Sequence, residues 1–329
     1  MKWFITGGCG FIGRNLVKQL LSEGGNYVRV YDNLSVGSRE SLGRVCEFTE
    51  PGASPMNADF TGVQLVTGDI LDRETLSESM KGMEAVVHLA ANTGVEKSVQ
   101  DPFADCDTNV RGTLNVLDAA LNNHVQAFVL ASSNASVGEC DPPLREDLPI
   151  RSVSPYGASK AAGEAYCSAY YRCFGLKTTA LRFGNVYGPL SEGKTSVVAK
   201  FIKQTLRGED LEIYGDGSQT RDFIHVTDIA QAILLAAGSA ESGGEIFQIA
   251  TFRETTVNEI AEKIKRLAKE KAGKSVQVLH GVERQGDVKK NFSDISRART
   301  VLGFEPAFDV ESGLEQTFDF FVQENSGHA

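Results

Sequence analysis

The 329-residue chain lacks several features that would place it in a specialised class of protein. No run approaches 18 consecutive apolar residues, so the sequence predicts no membrane-spanning helix. Acidic residues outnumber basic ones by 43 to 33, and the absence of a local Lys/Arg run argues against a nucleic-acid-binding surface. The N-terminal stretch MKWFITGG is too short for a signal-peptide core and has no cleavage region. We therefore expect a soluble, cytoplasmic protein.

The six cysteines form no CxxC pair, which argues against both a zinc site and a disulfide framework. We expect reduced thiols and no metal centre. The cysteines are scattered along the chain, as Cys9, Cys46, Cys106, Cys140, Cys167 and Cys173.

Short apolar runs alternate with helix-like segments in the first half of the chain. The runs KWFIT, YVRVYD, VQLVTGD, AVVHLAA and AFVLASS predict buried strands, and FIGRNLVKQLLSEG and PFADCDTNVRGTLNVLDAALNN predict helices between them. This alternation indicates the α/β class, with a parallel sheet covered on both faces. Residues 34–62 contain PGASP and little periodicity, which indicates a surface excursion.

The pattern changes after about residue 180. VVAKFIKQTLRG and VNEIAEKIKRLAKEKAG predict helices, and LEIYG, IFQIA and VQVLH predict short strands between glycine turns. We interpret residues 1–180 as one domain and residues 181–329 as a smaller lobe over the carboxyl edge of the sheet. The boundary is soft, because VTDIAQAILLAAG could return to the first domain.

A glycine-rich loop follows the first predicted strand and opens a helix. Gly7, Gly10 and Gly13 allow a tight turn, a close backbone approach to a pyrophosphate and close helix packing. Asp32 ends the second strand 19 residues later, where a carboxylate can bind a ribose diol. This pattern predicts a dinucleotide site. Asp32 favours NAD over NADP, while Arg39 in the following loop leaves NADP open.

The stretch SPYGASK places Tyr156 and Lys160 on one face of a helix. A phenol is a weak base at neutral pH, and a neighbouring ammonium favours its ionised form by lowering its pKa. The pair suits proton transfer to and from a hydroxyl whose carbon gives up a hydride. Ser133, 23 residues earlier at a strand end, is a candidate third member.

The motifs TGGCGFIG, HLAA, DTNVRGTLNV, SPYGASK, LRFGNVYGP and GDGSQTRDFIHVTD together resemble the extended short-chain dehydrogenase/reductase family. More narrowly, they resemble its nucleotide-sugar epimerases and dehydratases, typified by UDP-glucose 4-epimerase. The resemblance implies a Rossmann-type doubly wound fold with a substrate-binding lobe, bound NAD, and a homodimer. The dimer would form through the helices near 103–121 and 155–173.

The resemblance also implies roles for individual residues. Ser133, Tyr156 and Lys160 would be catalytic, with Ser133 bonded to the 4-hydroxyl of the sugar. Substrate pyrophosphate would meet Asn185, Arg221 and Arg284, the uracil would meet Glu212 and Tyr214, and Asn291 would lie beside the sugar's C2 substituent. Besides Tyr156, Lys160 and the three glycines, the cofactor would contact Phe11, Ile12, Asp32, Asn33, Asp69, Ile70, Leu89, Ala90 and Ala91. One departure concerns Val137, which replaces the tyrosine of the family.

The loop after Ser133 discriminates between the reactions of the family. The resembling dehydratases use an Asp-Glu pair where this chain has Asn134 and Ala135, and decarboxylases have Glu in place of Ala135. The sequence therefore favours NAD-dependent 4-epimerisation of a UDP-sugar. Dehydration, decarboxylation, an NADPH-dependent reduction and a non-catalytic NAD-binding scaffold are the alternatives. The sugar stays open among glucose, N-acetylglucosamine, glucuronate and pentose forms.

Overall fold

The structure, a computed structural model, describes residues 1–51, 59–283 and 289–326. Strands and helices alternate up to residue 174, as the periodicity predicts. They are β1 (Lys2–Thr6), α1 (Phe11–Glu23), β2 (Tyr27–Asp32), α2 (Arg39–Gly43), β3 (Val63–Thr67), α3 (Arg73–Ser79), β4 (Ala85–His88), α4 (Val95–Gln100), α5 (Pro102–Cys106), α6 (Gly112–Asn122), β5 (Ala127–Ser133) and α7 (Pro155–Phe174).

The later elements are shorter strands separated by long helices. They are β6 (Thr178–Phe183), β7 (Asn185–Tyr187), α8 (Val197–Arg207), β8 (Leu211–Tyr214), β9 (Thr220–Arg221), β10 (Phe223–His225), α9 (Val226–Gly238), β11 (Glu245–Ile249), β12 (Thr255–Thr256), α10 (Val257–Ala272), β13 (Val278–Gly281) and α11 (Val310–Ser326). None of the helices in these described ranges is long and apolar enough to cross a membrane.

A seven-stranded parallel sheet, in the order β11-β6-β5-β4-β1-β2-β3, organises the described chain. This order reverses direction between β1 and β4, and open α/β sheets bind ligands at such a switch point. The predicted doubly wound α/β fold is confirmed.

Apolar side chains cover both faces of the sheet. Ile5 and Val87 pack against α1 and α9 on one face, while Phe128 and Leu130 pack on the other face beneath α6 and α7. A separate core around Phe201 joins α8, α10 and α11. The sheet thus presents its polar carboxyl edge toward this second core.

Three predictions about the elements need correction or refinement. The run IFQIA becomes β11 and pairs with β6 in the main sheet, so it does not belong with the second core. A short buried apolar strand has the same pattern in either place. The stretch VTDIAQAILLAAG (α9) packs on α1 and does return to the sheet. The helix expected over 102–123 is interrupted by a π-helical turn at 107–111.

Candidate active site

The glycine loop after β1 has no room for side chains. A Cβ atom on Gly7, whose φ is +70°, would lie 2.7 Å from the backbone nitrogen of Ala90. A Cβ on Gly13 would lie 2.5 Å from the Cα of Gly8. Helix α1 begins here with neither a side-chain cap nor an acidic residue in its first turn. Its free N–H groups can therefore bind an anion such as a pyrophosphate.

Asp32 ends β2 and is tied into the glycine loop. Its Oδ2 accepts the N–H of Cys9 at 2.9 Å, and its Oδ1 accepts the N–H of Leu34 at 2.8 Å. Burial raises the pKa of Asp32, while these backbone hydrogen bonds oppose the rise. Each carboxylate oxygen keeps a lone pair for a ribose hydroxyl. Next to it, Asn33 donates to Oδ2 of Asp69 at 3.0 Å, which joins two predicted cofactor contacts.

The side chain of Arg39, the residue that left NADP open, is hydrogen-bonded to Glu50 and Thr67. Its Nε and Nη2 donate to Glu50 at 2.9 to 3.1 Å, and Nη2 also donates to Thr67 at 2.9 Å. A guanidinium held in a two-bond fork by a carboxylate is not poised for a 2′-phosphate. This geometry favours NAD over NADP and answers the question that the sequence left open.

The end of β4 borders the same site. The Ala90 N–H donates to Oγ1 of Thr6 at 3.2 Å, and the buried His88 ring lies between Thr6 and Thr113, at 2.7 and 3.0 Å. Burial, with the nearby Lys160 charge, lowers the pKa of His88 to about 3, so this imidazole is neutral. The other predicted cofactor contacts also follow the carboxyl ends of parallel strands: Phe11, Ile12, Ile70, Leu89 and Ala91.

The start of α7 brings Tyr156 and Lys160 together. Ser154 caps the helix by accepting the N–H of Gly157 at 3.1 Å, and Pro155 occupies its first position. The Lys160 ammonium is buried, donates to the carbonyl of Ala131 at 2.9 Å, and lies 5.9 Å from the ring centre of Tyr156.

Burial is the main cause of the pKa shifts of this pair. Burial raises the pKa of Tyr156, and a hydrogen bond from Ser133 opposes that rise. Burial is the largest cause of the rise, and the negative charge of Asp105 acts in the same direction. Burial lowers the pKa of Lys160 to about 8, against the opposing charges of Asp105 and Glu164.

A buried ion pair that the sequence analysis missed lies one turn beyond Lys160. Glu164 accepts two hydrogen bonds from Arg182 of β6, at 2.8 and 2.7 Å, and both side chains are 1% exposed. Its Oε1 also accepts from Ser132 at 2.5 Å and from Ser136 at 2.9 Å. These serines flank Ser133, so Glu164 fixes the strand end that carries it. The helical spacing of residues 156, 160 and 164 was an available signal.

Asn134 links the catalytic loop to a distant segment. Its Nδ2 donates to Oγ of Ser293 at 2.9 Å and approaches Oδ1 of Asn291 at 3.5 Å. Asn291, predicted to lie beside the C2 substituent of the sugar, is thus near Asn134, the residue that follows the predicted catalytic serine. Val137 is fully buried and does not line the cleft, and Ser136 is bonded to Glu164.

The predicted substrate residues lie in the second lobe, and Asp222 connects several of them. Its carbonyl accepts the N–H of Asn185 at 2.8 Å, its Oδ2 accepts the N–H of Ser293 at 3.3 Å, and Arg221 precedes it. Tyr214 lines a small cavity at the end of β8, the strand that also carries the exposed Glu212. Arg284 lies outside the described residues. In the described ranges, no group of three or more His, Cys, Asp or Glu side chains is placed to hold a metal ion.

Comparison with known proteins identifies relatives along the whole chain. Residues 3–250 match the model of the NAD dependent epimerase/dehydratase family. UDP-glucose 4-epimerase of Mycolicibacterium smegmatis is 36% identical over 327 residues, which cover 98% of each chain. UDP-glucose 4-epimerase from Thermotoga maritima, solved with UDP-glucose, has a TM-score of 0.87 at 34% identity and covers 99% of this chain and 100% of its own. A UDP-N-acetylglucosamine 4-epimerase from Methanobrevibacter ruminantium, solved with UDP-N-acetylmuramic acid, has a TM-score of 0.86 at 33% identity and 98% coverage of both chains.

Replacing Glu164 by Gln should lower the free energy of unfolding by about 3–5 kcal/mol, because it leaves the buried Arg182 charge uncompensated. The double variant Glu164→Gln/Arg182→Met should regain much of this loss, since it removes both charges. Urea unfolding measures both changes. Glu305→Gln, in the surface pair with Arg299, is the control and should change stability by less than about 1 kcal/mol. A single Glu164→Gln variant as stable as the wild type would contradict the structural role of the pair.

Proposed function

The chain belongs to the NAD-dependent epimerase/dehydratase family, and we infer that within it this enzyme is a UDP-sugar 4-epimerase. The observation that carries the choice of reaction is the composition of the loop at the catalytic strand end. Asn134 and Ala135 follow Ser133 and carry no ionisable group. Dehydration requires a further acid and base for the C5 proton and the C6 hydroxyl, and this loop supplies neither.

The side chains present suffice for epimerisation. Tyr156 takes the proton of the C4 hydroxyl when the hexose is oxidised and returns it when the 4-keto group is reduced. Ser133 donates to the tyrosine oxygen and is positioned to hold the same C4 oxygen. Lys160 favours the ionised tyrosine through its charge. Bound NAD supplies what side chains lack, a reversible acceptor for the hydride of C4.

The NAD site rests on the features described above. The glycine loop and the uncapped α1 receive the pyrophosphate, and Asp32 with Asn33 receives the adenosine ribose. Asp69 and Ile70 border the adenine. The engaged fork of Arg39 supports NAD over NADP, which also disfavours a reductase that exchanges NADPH.

For the substrate, we propose that the second lobe binds the UDP moiety. Asn185 and Arg221 would hold the diphosphate, together with Arg284, because guanidinium groups bind phosphates with paired hydrogen bonds. Tyr214 and Glu212 would contact the uracil, and the cavity beside Tyr214 supports this placement. Asn291 would lie at the C2 substituent of the sugar.

The assembly and location are proposals of the same kind. Helices near 103–121 and 155–173 would form a homodimer interface, and the exposed Phe103 and Tyr166 on them support it. A cytoplasmic location fits the six free thiols. The two-domain division at residue 180 stays a proposal, and β6 crosses that position while α9 and β11 return to the sheet.

The first test of this function is product analysis. Incubation of the wild type with UDP-glucose should give an equilibrium mixture with UDP-galactose, because hydride return to either face of C4 needs only the three catalytic groups. NMR of the sugar protons identifies the products. Accumulation of a 4-keto-6-deoxy sugar would contradict epimerisation and select the dehydratase alternative. Bound NAD without turnover of any UDP-hexose would select the non-catalytic scaffold.

Tyr156→Phe should lower kcat by at least about 100-fold, because it removes the group that exchanges the hydroxyl proton. The steady-state rate with UDP-glucose measures this, and circular dichroism verifies the fold. Tyr166→Phe, on the exposed side of the same helix, is the matched control and should keep normal activity. Activity of Tyr156→Phe within a few fold of wild type would remove the tyrosine from the mechanism.

Asn291 should make the enzyme tolerant of an N-acetyl group at C2. The wild type should epimerise UDP-N-acetylglucosamine at a rate comparable to UDP-glucose, and Asn291→Tyr should lose the acetylated substrate selectively because the larger ring overlaps it. Asn291→Leu, which changes polarity with little change in size, should keep both substrates if size decides. The kcat/KM ratio of the two substrates measures the effect. Equal loss of both activities in Asn291→Tyr would show that this residue does not decide which C2 substituent is accepted.

A further inference from the structure

Asp105 is a deeply buried aspartate next to the helix that carries Tyr156 and Lys160. It lies on α5, a helix that packs against α7, and its side chain is only 1% exposed. Its Oδ1 accepts from Nδ2 of Asn109 at 2.9 Å. Its Oδ2 is buried and has no hydrogen-bond partner in the described part of the chain. An ionised carboxylate in this position is costly unless a positive charge compensates it.

Hydrogen bonds connect Asp105 to the helix that carries the catalytic pair. Asn109 Nδ2, which donates to Asp105, also approaches Oγ of Ser159 at 3.2 Å. Ser159 in turn donates to the carbonyl of Tyr156 at 3.0 Å and immediately precedes Lys160. Helix α5 packs against α7, and the negative charge of Asp105 raises the pKa of both Tyr156 and Lys160.

The other charged groups near Lys160 act on its pKa less strongly than Asp105 or are neutral. On α7 itself, Glu164 is paired with the Arg182 guanidinium of β6. On β4, the nearby imidazole of His88 is neutral because of its lowered pKa.

The remaining charged groups on elements packed against α7 are wholly or partly exposed, and they include Asp118 of α6, which pairs with Arg73 at 3.0 Å. Helix α4 carries Glu96 and Lys97, and the π-helical turn carries Asp107 and Arg111, which pair at 3.4 Å. Water screens such exposed charges strongly. Among the described acidic residues near Lys160, Asp105 therefore combines deep burial with an oxygen that has no partner.

We propose that Asp105 is a positioning residue for the epimerisation, whose buried carboxylate keeps the Lys160 ammonium charged and sets the pH range in which Tyr156 exchanges its proton with the substrate. This inference rests on the proposed roles of Tyr156 and Lys160. The proposed catalytic residues lie on α7 and at the end of β5. Asp105 would add an ionisable group from a further helix, α5, to this set.

The direction of the effect follows from the charges. A negative neighbour disfavours the phenolate of Tyr156 and favours the ammonium of Lys160, so it moves both deprotonations to higher pH. If activity needs the phenolate and the ammonium together, kcat/KM depends on pH as a bell. Loss of the Asp105 charge should therefore move both limbs of the bell to lower pH.

The test is the pH profile of kcat/KM for UDP-glucose with the NAD-bound Asp105→Asn variant. Asparagine has nearly the same shape and keeps an oxygen for Asn109. We expect the ratio of activity at about pH 6 to activity at about pH 9 to rise about tenfold over the wild type. Asp105→Glu should restore the wild-type profile even if its maximal rate is lower. Asp107→Asn, the exposed neighbour, is the matched control and should leave the profile unchanged.

A lower rate with an unshifted profile would overturn the proposal, because a purely structural residue lowers the height of the bell without moving it. An equal shift in Asp107→Asn would overturn it as well. If Asp105→Asn does not fold, Asp105→Ser provides the same readout with the smaller side chain.

A second measurement does not depend on turnover. The ultraviolet absorbance change on ionisation of Tyr156, obtained as wild type minus Tyr156→Phe, should occur at lower pH in an Asp105→Asn background. Ionisation at an unchanged pH would overturn the role of Asp105 even if the proposed epimerase activity failed. A shifted ionisation in a protein without epimerase activity would support the role of Asp105 and contradict only the proposed function.

Discussion

The buried pair of Glu164 and Arg182 is the interaction on which the catalytic geometry depends. A charge pair withdrawn from water is tolerated only when its geometry is good and its remaining lone pairs are satisfied. Here the Glu164 carboxylate is satisfied by α7's contacts to β6 and, through Ser132 and Ser136, to the end of β5, while Nη1 of Arg182 has no hydrogen-bond partner among the described residues. Because residues 156, 160 and 164 share one helix face, the same constraint fixes the catalytic pair relative to Ser133. The ion pair thus contributes more to specificity of arrangement than to net stability.

A second buried carboxylate, that of Asp222, holds several loop segments together by hydrogen bonds between the sheet and the second lobe. Asp222 accepts hydrogen bonds from Thr251, Phe252 and Ser293, and is fully buried. Burial raises its pKa, and these hydrogen bonds oppose that rise. The segment that carries Asn291 is therefore held by polar contacts, while the second core around Phe201 supplies apolar burial. The proposed site thus lies between a segment held by hydrogen bonds and a core held by apolar packing.

The sequence predicted those parts of the structure that local spacing encodes. The glycine loop, Asp32 and the Tyr156–Lys160 turn each follow from separations of a few residues within one element or one βα unit. The placement of β11 was wrong because a short apolar strand does not specify its neighbour. Asp105 and the partners of Glu164 were missed because their contacts join segments far apart in sequence. The rise in the pKa of Tyr156 could not be predicted for a related reason, since helical spacing does not reveal how deeply the phenol is buried.

The contact between Asn134 and the segment of Asn291 and Ser293 has a consequence for how new activities could evolve on this scaffold. Position 134 is where a dehydratase would need an acid, yet here its amide donates to one oxygen and approaches a second. A carboxylate at this position would have no N–H to donate, so it could contact Ser293 only by accepting the proton of its hydroxyl, and it would face Oδ1 of Asn291. If Asn291 lies at the sugar as proposed, a change of position 134 to an acid would alter the contacts of that residue as well. The type of reaction and the range of sugars accepted would then depend on two side chains in contact with each other.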